Sequence, residues 1–319
     1  MSSAIDQYLA DMQAAGRINS PSSERAYRGS LHCHVDDVAN RDPRYTSRDD
    51  VKRTLSRWQH PNSQRTRRAH LVAFYDWLME EGYRKDNPAR QTRKPRKRPA
   101  EVYRLTRGET IALLNAPETP RERLAIFLGV CAGLRNAELR GLQGRHLRRE
   151  GFISVSGDIA KGRRPRVIPV VSDLLPIVDA LRSTLDDDDY VLPAQRFRDP
   201  GLNRVKQDKR KHPSSSQALR QLVKSVAKRA GIAAPISPHT MRHAYADHIA
   251  KHAGVQTAQA LLGHADLGTT QAYLGAPTAD ELQAAVSGIS FGTLAERAFY
   301  PIREAAAKLV EAPTRIELV

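Results

Sequence analysis

The sequence predicts a mainly helical α+β chain, with a helical amino-terminal domain followed by a larger domain in which helices surround a small β-sheet. Three observations predict this. The 319 residues amount to about two domains of ordinary size. Apolar residues recur at helical spacing almost throughout, and only two short runs read as strands. A basic, proline-broken stretch then separates the two patterns.

Composition narrows the function. Hydrophobic residues are 40% of the chain and charged residues 27%, enough apolar material to exclude global disorder. No run of about 18 apolar residues exists, which excludes a membrane-spanning helix. The opening Met-Ser-Ser-Ala-Ile-Asp-Gln-Tyr carries no basic stretch ahead of an apolar one, so no secretory signal is expected. Two cysteines, Cys33 and Cys131, cannot build a disulfide framework or a four-cysteine zinc site; both are expected as small buried hydrophobes in a reducing cytoplasm. Lys+Arg total 51 against 35 Asp+Glu, a net charge of +16 that favours a polyanionic partner such as nucleic acid.

The elements follow in order. Ile5, Tyr8, Leu9 and Met12 form one helical stripe, closed by Gly16. Ser20-Pro21 starts a second helix facing inward with Tyr27, Leu31, Val35 and Val38. Ser47 and Asp50 begin a third, carrying Val51, Leu55 and Trp58, and Ser63 opens a fourth with Leu71, Phe74, Tyr75 and Leu78. This domain is expected over 1–88, with Arg65, Arg67 and Arg68 on a DNA-facing surface.

Between Arg84 and Arg107 there are ten Lys/Arg and two acids, and Pro88, Pro95 and Pro99 deny a helix. Half of the net charge, +8, therefore sits in 24 residues. The linker proper is placed at 89–105 and is expected to lie along phosphates through Arg93, Lys94, Arg96, Lys97 and Arg98.

A second domain is expected over 106–275. Thr106 and Glu109 make a capping box for a helix to about Asn115, and another helix runs from about Arg121 to Cys131. Two strands, Phe152–Val155 and Val167–Val170, flank a turn with Lys161, Arg163 and Arg164. Helices return at Leu174–Leu185 and Ser216–Ala230 and dominate thereafter, after a second basic loop at Lys206–Lys211.

Three segments of this domain stand out: Ala132-Gly133-Leu134-Arg135-Asn136-Ala137-Glu138-Leu139, His239-Thr240-Met241-Arg242-His243, and Leu262-Gly263-His264 running on to Tyr273. With Lys161 between the first two, their order and spacing closely resemble the tyrosine recombinases, the phage-integrase family. The resemblance covers about Thr106 to Tyr273, and more weakly the four-helix domain, which resembles the family's core-binding domain. It implies a site-specific DNA recombinase with Arg135, Lys161, His239, Arg242, His264 and Tyr273 as catalytic residues. Tyr273 would be the nucleophile, and Glu138 would orient Arg135 from behind.

The chemistry is coherent. A tyrosine oxygen stores the phosphate as a covalent ester and leaves more readily than a sugar alkoxide. Two guanidiniums can clamp the non-bridging oxygens of the pentavalent state. Lys161 can protonate the departing 5′ oxygen, and His239 and His264 can bond the phosphate or manage the tyrosine proton. His243, four residues after His239, makes a metal pair conceivable, but no acidic third ligand accompanies it; no metal or other cofactor is expected.

The resemblance further implies double-stranded attachment sites as substrate, a homotetramer on two synapsed sites from a monomer or weak oligomer without DNA, and room for an accessory directionality protein. No membrane partner is expected. A phage or other mobile-element integrase without an extra amino-terminal module is favoured over a chromosome-dimer resolvase. The alternatives are a type IB topoisomerase-like relaxing enzyme and a catalytically silent DNA-binding regulator. The tail, 276–319, has a capping box at Thr278 and Glu281 and a stripe of Leu282, Ala285, Val286 and Ile289. That face must be buried, on its own catalytic domain or on a neighbouring protomer, and the resemblance, with the Gly275-Ala276-Pro277 break before it, favours the neighbour. Thr293 and Glu296 cap a further segment, and His248 and His252 are expected on a solvated helix face.

Overall fold

Four helices build the amino-terminal unit because each carries one apolar stripe that only the others can cover. They are α1 (Ser2–Ala14), α2 (Pro21–Asp37), α3 (Arg48–Ser56) and α4 (Pro61–Glu80). The computed structural model describes residues 2–38, 42–99, 102–148, 151–160, 165–194, 213–263 and 278–291. The chain divides into Met1–Glu101 and Val102–Val319.

In the first unit the Ser20 hydroxyl accepts from the Ser23 N–H, and Ser47 and Asp50 cap α3 reciprocally. Helix α4 starts two residues ahead of the expected Ser63. Pro61 occupies the first helical position, where no N–H is needed, and the His60 ring caps Asn62. The core joins Ile5, Tyr8 and Leu9 to Leu31, Val35, Val51, Leu71, Phe74, Tyr75 and Leu78. Trp58, expected on the α3 stripe, follows the end of that helix and lies under the Arg67 guanidinium at 5.3 Å.

Two buried imidazoles cross-link these helices. His34 on α2 meets Thr54 Oγ1 on α3 and Tyr75 Oη on α4, each at 2.7 Å. His70 on α4 meets Ser30 Oγ on α2 at 2.7 Å. Burial pushes both imidazoles down to about 4, so each stays neutral near pH 7.

The second unit contains α5 (Arg107–Asn115), α6 (Pro120–Cys131), α7 (Asn136–Gly141), α8 (Leu175–Thr184), α9 (Ser216–Arg229), α10 (Pro238–Ala253), α11 (Val255–Leu262) and α12 (Ala279–Val286). Its antiparallel sheet runs β1 (Leu147–Arg148), β2 (Phe152–Val155), β3 (Arg166–Pro169). β1, only two residues long, was not legible as a strand; β3 begins one residue before the expected Val167, at Arg166, which pairs with Val155. Helix α6 is buried from Leu124 to Cys131 and packs against α10 at the centre of the core. Cys131 is buried as expected, whereas Cys33 is only partly buried. The Lys206–Lys211 loop and the Thr293–Glu296 segment lie outside the described residues.

Helix α12 packs on its own unit, one of the two receptors expected for its apolar face. Leu282, Val286, Ile289 and Phe291 enter the core of the second unit, and α12 packs on β3, α10 and α11. Asp173 accepts from the Phe291 N–H at 2.7 Å and from Ser290 Oγ at 3.1 Å. His248 donates to the Ser290 carbonyl at 3.0 Å and stacks on Phe291, which leaves it half-buried, while His252 is exposed as expected. Asp173 thus holds the backbone just past the apolar stripe against the same unit.

Candidate active site

The Gly133-Leu134-Arg135 turn follows the end of α6 and sets the first guanidinium. Gly133 has φ +60°, and a Cβ there would lie 2.3 Å from Tyr245 Cδ1, so no side chain fits this turn. Arg135 is the N-cap residue of α7, and its backbone N–H donates to Glu138 Oε2 at 2.7 Å. Its Nη1 donates to Glu138 Oε1 at 2.9 Å.

Helix α10 supplies the second guanidinium. Ser237 caps it, Pro238 starts it, and His239 and Arg242 follow on its first turns. Arg242 Nη1 donates to the Gly133 carbonyl at 2.6 Å, and its Nη2 donates to the Leu262 carbonyl. Helix α11 ends beside them at Gly263, which is left-handed, with φ 59° and ψ 50°. Arg135 Nη2 lies 3.3 Å from the Leu262 oxygen and 3.5 Å from that of Gly263. The end of α11 thus draws two arginines to carbonyls that have no partner within the helix, at the negative end of its dipole.

A third arginine completes the cluster. Arg166, at the start of β3, meets Glu138 fork to fork, with Nη1–Oε1 and Nη2–Oε2 both 2.8 Å. Its Nε donates to the Leu261 carbonyl at 2.9 Å. Glu138 is fully buried, and its nearer oxygen lies 3.9 Å from Arg242 Nη1. Burial would raise this carboxyl, but the Arg166 fork and the Arg135 donors outweigh it and hold it at about 2. Burial, followed by the charges of Arg135 and Arg166, pushes Arg242 down to about 9, still a cation at pH 7. Three guanidiniums facing one carboxylate leave the cluster positive, which suits a phosphodiester.

The structure brings together Arg135, Glu138 and Arg242, and places His239 on the first turn of the helix that carries Arg242. His239 and His243 stack edge to face at 4.4 Å. Lys161, Arg163, Arg164, His264 and Tyr273 lie outside the described residues; Gly263 leads directly into His264, and β2 and β3 flank the Lys161 segment.

Several expected DNA contacts have partners within the chain. Arg65 donates to the Pro95 carbonyl at 3.3 Å, and Arg68 to the Thr92 and Arg90 carbonyls at 2.9 and 3.1 Å. Arg67 donates to Ser30 Oγ at 2.7 Å. Asn62 brackets Arg98, donating to its carbonyl and accepting its N–H. These α4 side chains fasten the basic segment, while Arg93, Lys94, Arg96, Lys97 and Arg98 remain exposed. Arg84 and Arg90, counted in the basic stretch, pair with Asp86 and Asp76.

Arg166 is the site residue that sequence reasoning missed. The available signal was its parity: it shares the inward face of β3 with buried Ile168, and an inward arginine requires a buried carboxylate.

A model of the phage integrase family matches residues 103–278. The chain belongs to the phage integrase family. It is a tyrosine-type site-specific recombinase by that membership. It is 33% identical over 214 residues to the tyrosine recombinase XerD of Ralstonia nicotianae, covering 65% of this chain and 67% of that protein. It is 32% identical over 299 residues to XerD of Brucella suis biovar 1, covering 85% and 91%. Among solved structures, a lambda integrase tetramer bound to a Holliday junction superposes with a TM-score of 0.66 at 20% identity, covering 85% of this chain and 76% of that one, and shares the fold.

Proposed function

We propose that this recombinase exchanges strands between two short duplex sites through a 3′-phosphotyrosyl intermediate. The observation that carries the reading is the convergence of Arg135 and Arg242 on one carbonyl, Leu262, with Glu138 behind them. Two forks held this way clamp the non-bridging oxygens of a scissile phosphate. The Tyr273 oxygen attacks phosphorus, the 5′ oxygen departs with a proton from Lys161, and the sugar is left as a free 5′-hydroxyl. A 5′-hydroxyl from the partner duplex then attacks the phosphotyrosine and releases the tyrosine. Each step exchanges one ester for another, so ATP is not required. His239 and His264 hold the phosphate or the tyrosine proton. A homotetramer on paired sites is the working assembly, in line with the lambda integrase tetramer on a Holliday junction.

The biological role follows the relatives. The identity of 32–33% to proteins named XerD favours a Xer-type function over the mobile-element integration expected from sequence. Footprinting the purified chain on its own genome separates the two. Protection beside its own gene supports integration and excision, and protection of an unlinked chromosomal site supports the Xer-type role. Relaxation of supercoiled plasmid lacking any protected site would instead support the topoisomerase reading.

A further inference from the structure

We infer that Arg166 is a positioning residue for strand cleavage, which keeps Glu138 from capturing Arg242 and locks three catalytic segments in register. The inference rests on the recombinase reading above. Glu138 accepts four bonds, two from Arg135 and two from Arg166, so both oxygens are filled. The next cation is Arg242, 3.9 Å away. If the Arg166 fork is removed, a fully buried carboxylate faces two vacant bonding directions with Arg242 as the nearest donor. Arg242 would then turn from the Gly133 and Leu262 carbonyls, and so from the phosphate they orient it toward.

The placement of Arg166 explains what it couples. It follows Lys161 by five residues and begins β3. Its Nε fastens this strand to the Leu261 carbonyl, two residues before the end-cap Gly263 and three before His264. The α11 end is shaped to receive it: a Cβ on Gly263 would lie 2.9 Å from Arg166 Cδ. One guanidinium therefore joins the strand after Lys161, the Arg135–Glu138 turn and the helix end before His264. None of these bonds reaches into solvent, since the Arg166 side chain is only 8% exposed.

The test uses the full chain on nicked duplex carrying its footprinted site, measuring single-site Kd and the single-turnover rate of covalent adduct formation. Arg166→Lys keeps the charge but cannot form the fork. Its adduct rate should fall about 100-fold, as expected for a misplaced catalytic group, with unchanged Kd. A 5′-bridging sulfur substrate, which needs no proton from Lys161, should not restore the rate. A wild-type rate in Arg166→Lys, or recovery with sulfur, overturns the inference.

A second comparison decides the matter even if Arg166→Lys folds poorly. Arg166→Met, Glu138→Gln and the double variant form a cycle. The neutral amide of Glu138→Gln has no charge with which to draw Arg242, so the double variant should cleave at least as fast as Arg166→Met. Losses that simply multiply overturn the inference. Failure of the wild-type chain to form any adduct would instead refute the recombinase reading itself.

Discussion

Arg135 and Arg242 donate to the same acceptor, the Leu262 carbonyl oxygen, although one stands at the start of α7 and the other on α10. Like charges approach this closely only because a helix end and the Glu138 carboxylate draw them inward. The Gly133 turn sets both, since it leads into Arg135 and offers its own carbonyl to Arg242 at 2.6 Å.

Gly133→Ala should therefore damage chemistry more than binding. The new methyl group meets the buried Tyr245 ring and a positive φ, and the combined cost is about 1–3 kcal/mol. The expected outcome is a lower Tm, near-normal single-site affinity and a cleavage rate reduced by about 100-fold through displaced guanidiniums. Calorimetry and single-turnover cleavage check it.

The first unit should weaken in mild acid. Burial holds His34 and His70 near 4, below the ordinary 6.5, so the unfolded chain takes up protons first as pH falls. Their stability contribution is complete above pH 6.5 and is lost between 6.5 and 4, at up to about 3 kcal/mol for each ring. Both tryptophans, Trp58 and Trp77, lie in this unit, so tryptophan fluorescence reports it selectively. The denaturant midpoint should fall from about pH 7 to about pH 5, and His34→Gln should flatten the trend.

Much of this architecture was legible because it is local. Thr106 and Glu109 fixed the start of α5, and the Arg135–Glu138 pairing follows from a spacing of three residues. What escaped depends on long-range contact. Arg166 reaches Glu138 across 28 residues, Arg65 and Arg68 reach carbonyls of the basic segment, and Phe291, past the end of α12, reaches Asp173 across more than a hundred. A surface arginine and one that fastens a neighbouring segment have the same helical spacing, so periodicity alone cannot separate them. The start of α4 failed for a local reason: a proline after a capping histidine outcompeted a serine two residues on.

Salt should reveal the exposed basic segment. If Arg93, Lys94, Arg96, Lys97 and Arg98 each neutralise one phosphate, they account for a slope of about −4.5 in log affinity against log salt. Replacing all five by alanine should remove that part of the slope. Asn62→Ala, which frees the Arg98 backbone, should weaken binding without changing the slope. An unchanged slope in the fivefold variant would refute the phosphate contact.

Truncation separates two roles of the tail. Deleting 276–319 removes Leu282, Val286 and Phe291 from the core and should lower the Tm of the second unit. Deleting only 292–319 keeps every described residue of that core. Melting and single-site binding should then stay normal, and a selective loss of synapsis would assign protomer contact to that last segment.

The central claim is covalent catalysis by Tyr273 under the Arg135–Arg242 clamp, and trapping on nicked DNA tests it most directly. The wild-type chain should form a denaturation-resistant adduct at the 3′ phosphate of its footprinted site. Tyr273→Phe should bind that site with normal affinity and form none. An adduct of equal yield in Tyr273→Phe would contradict the account.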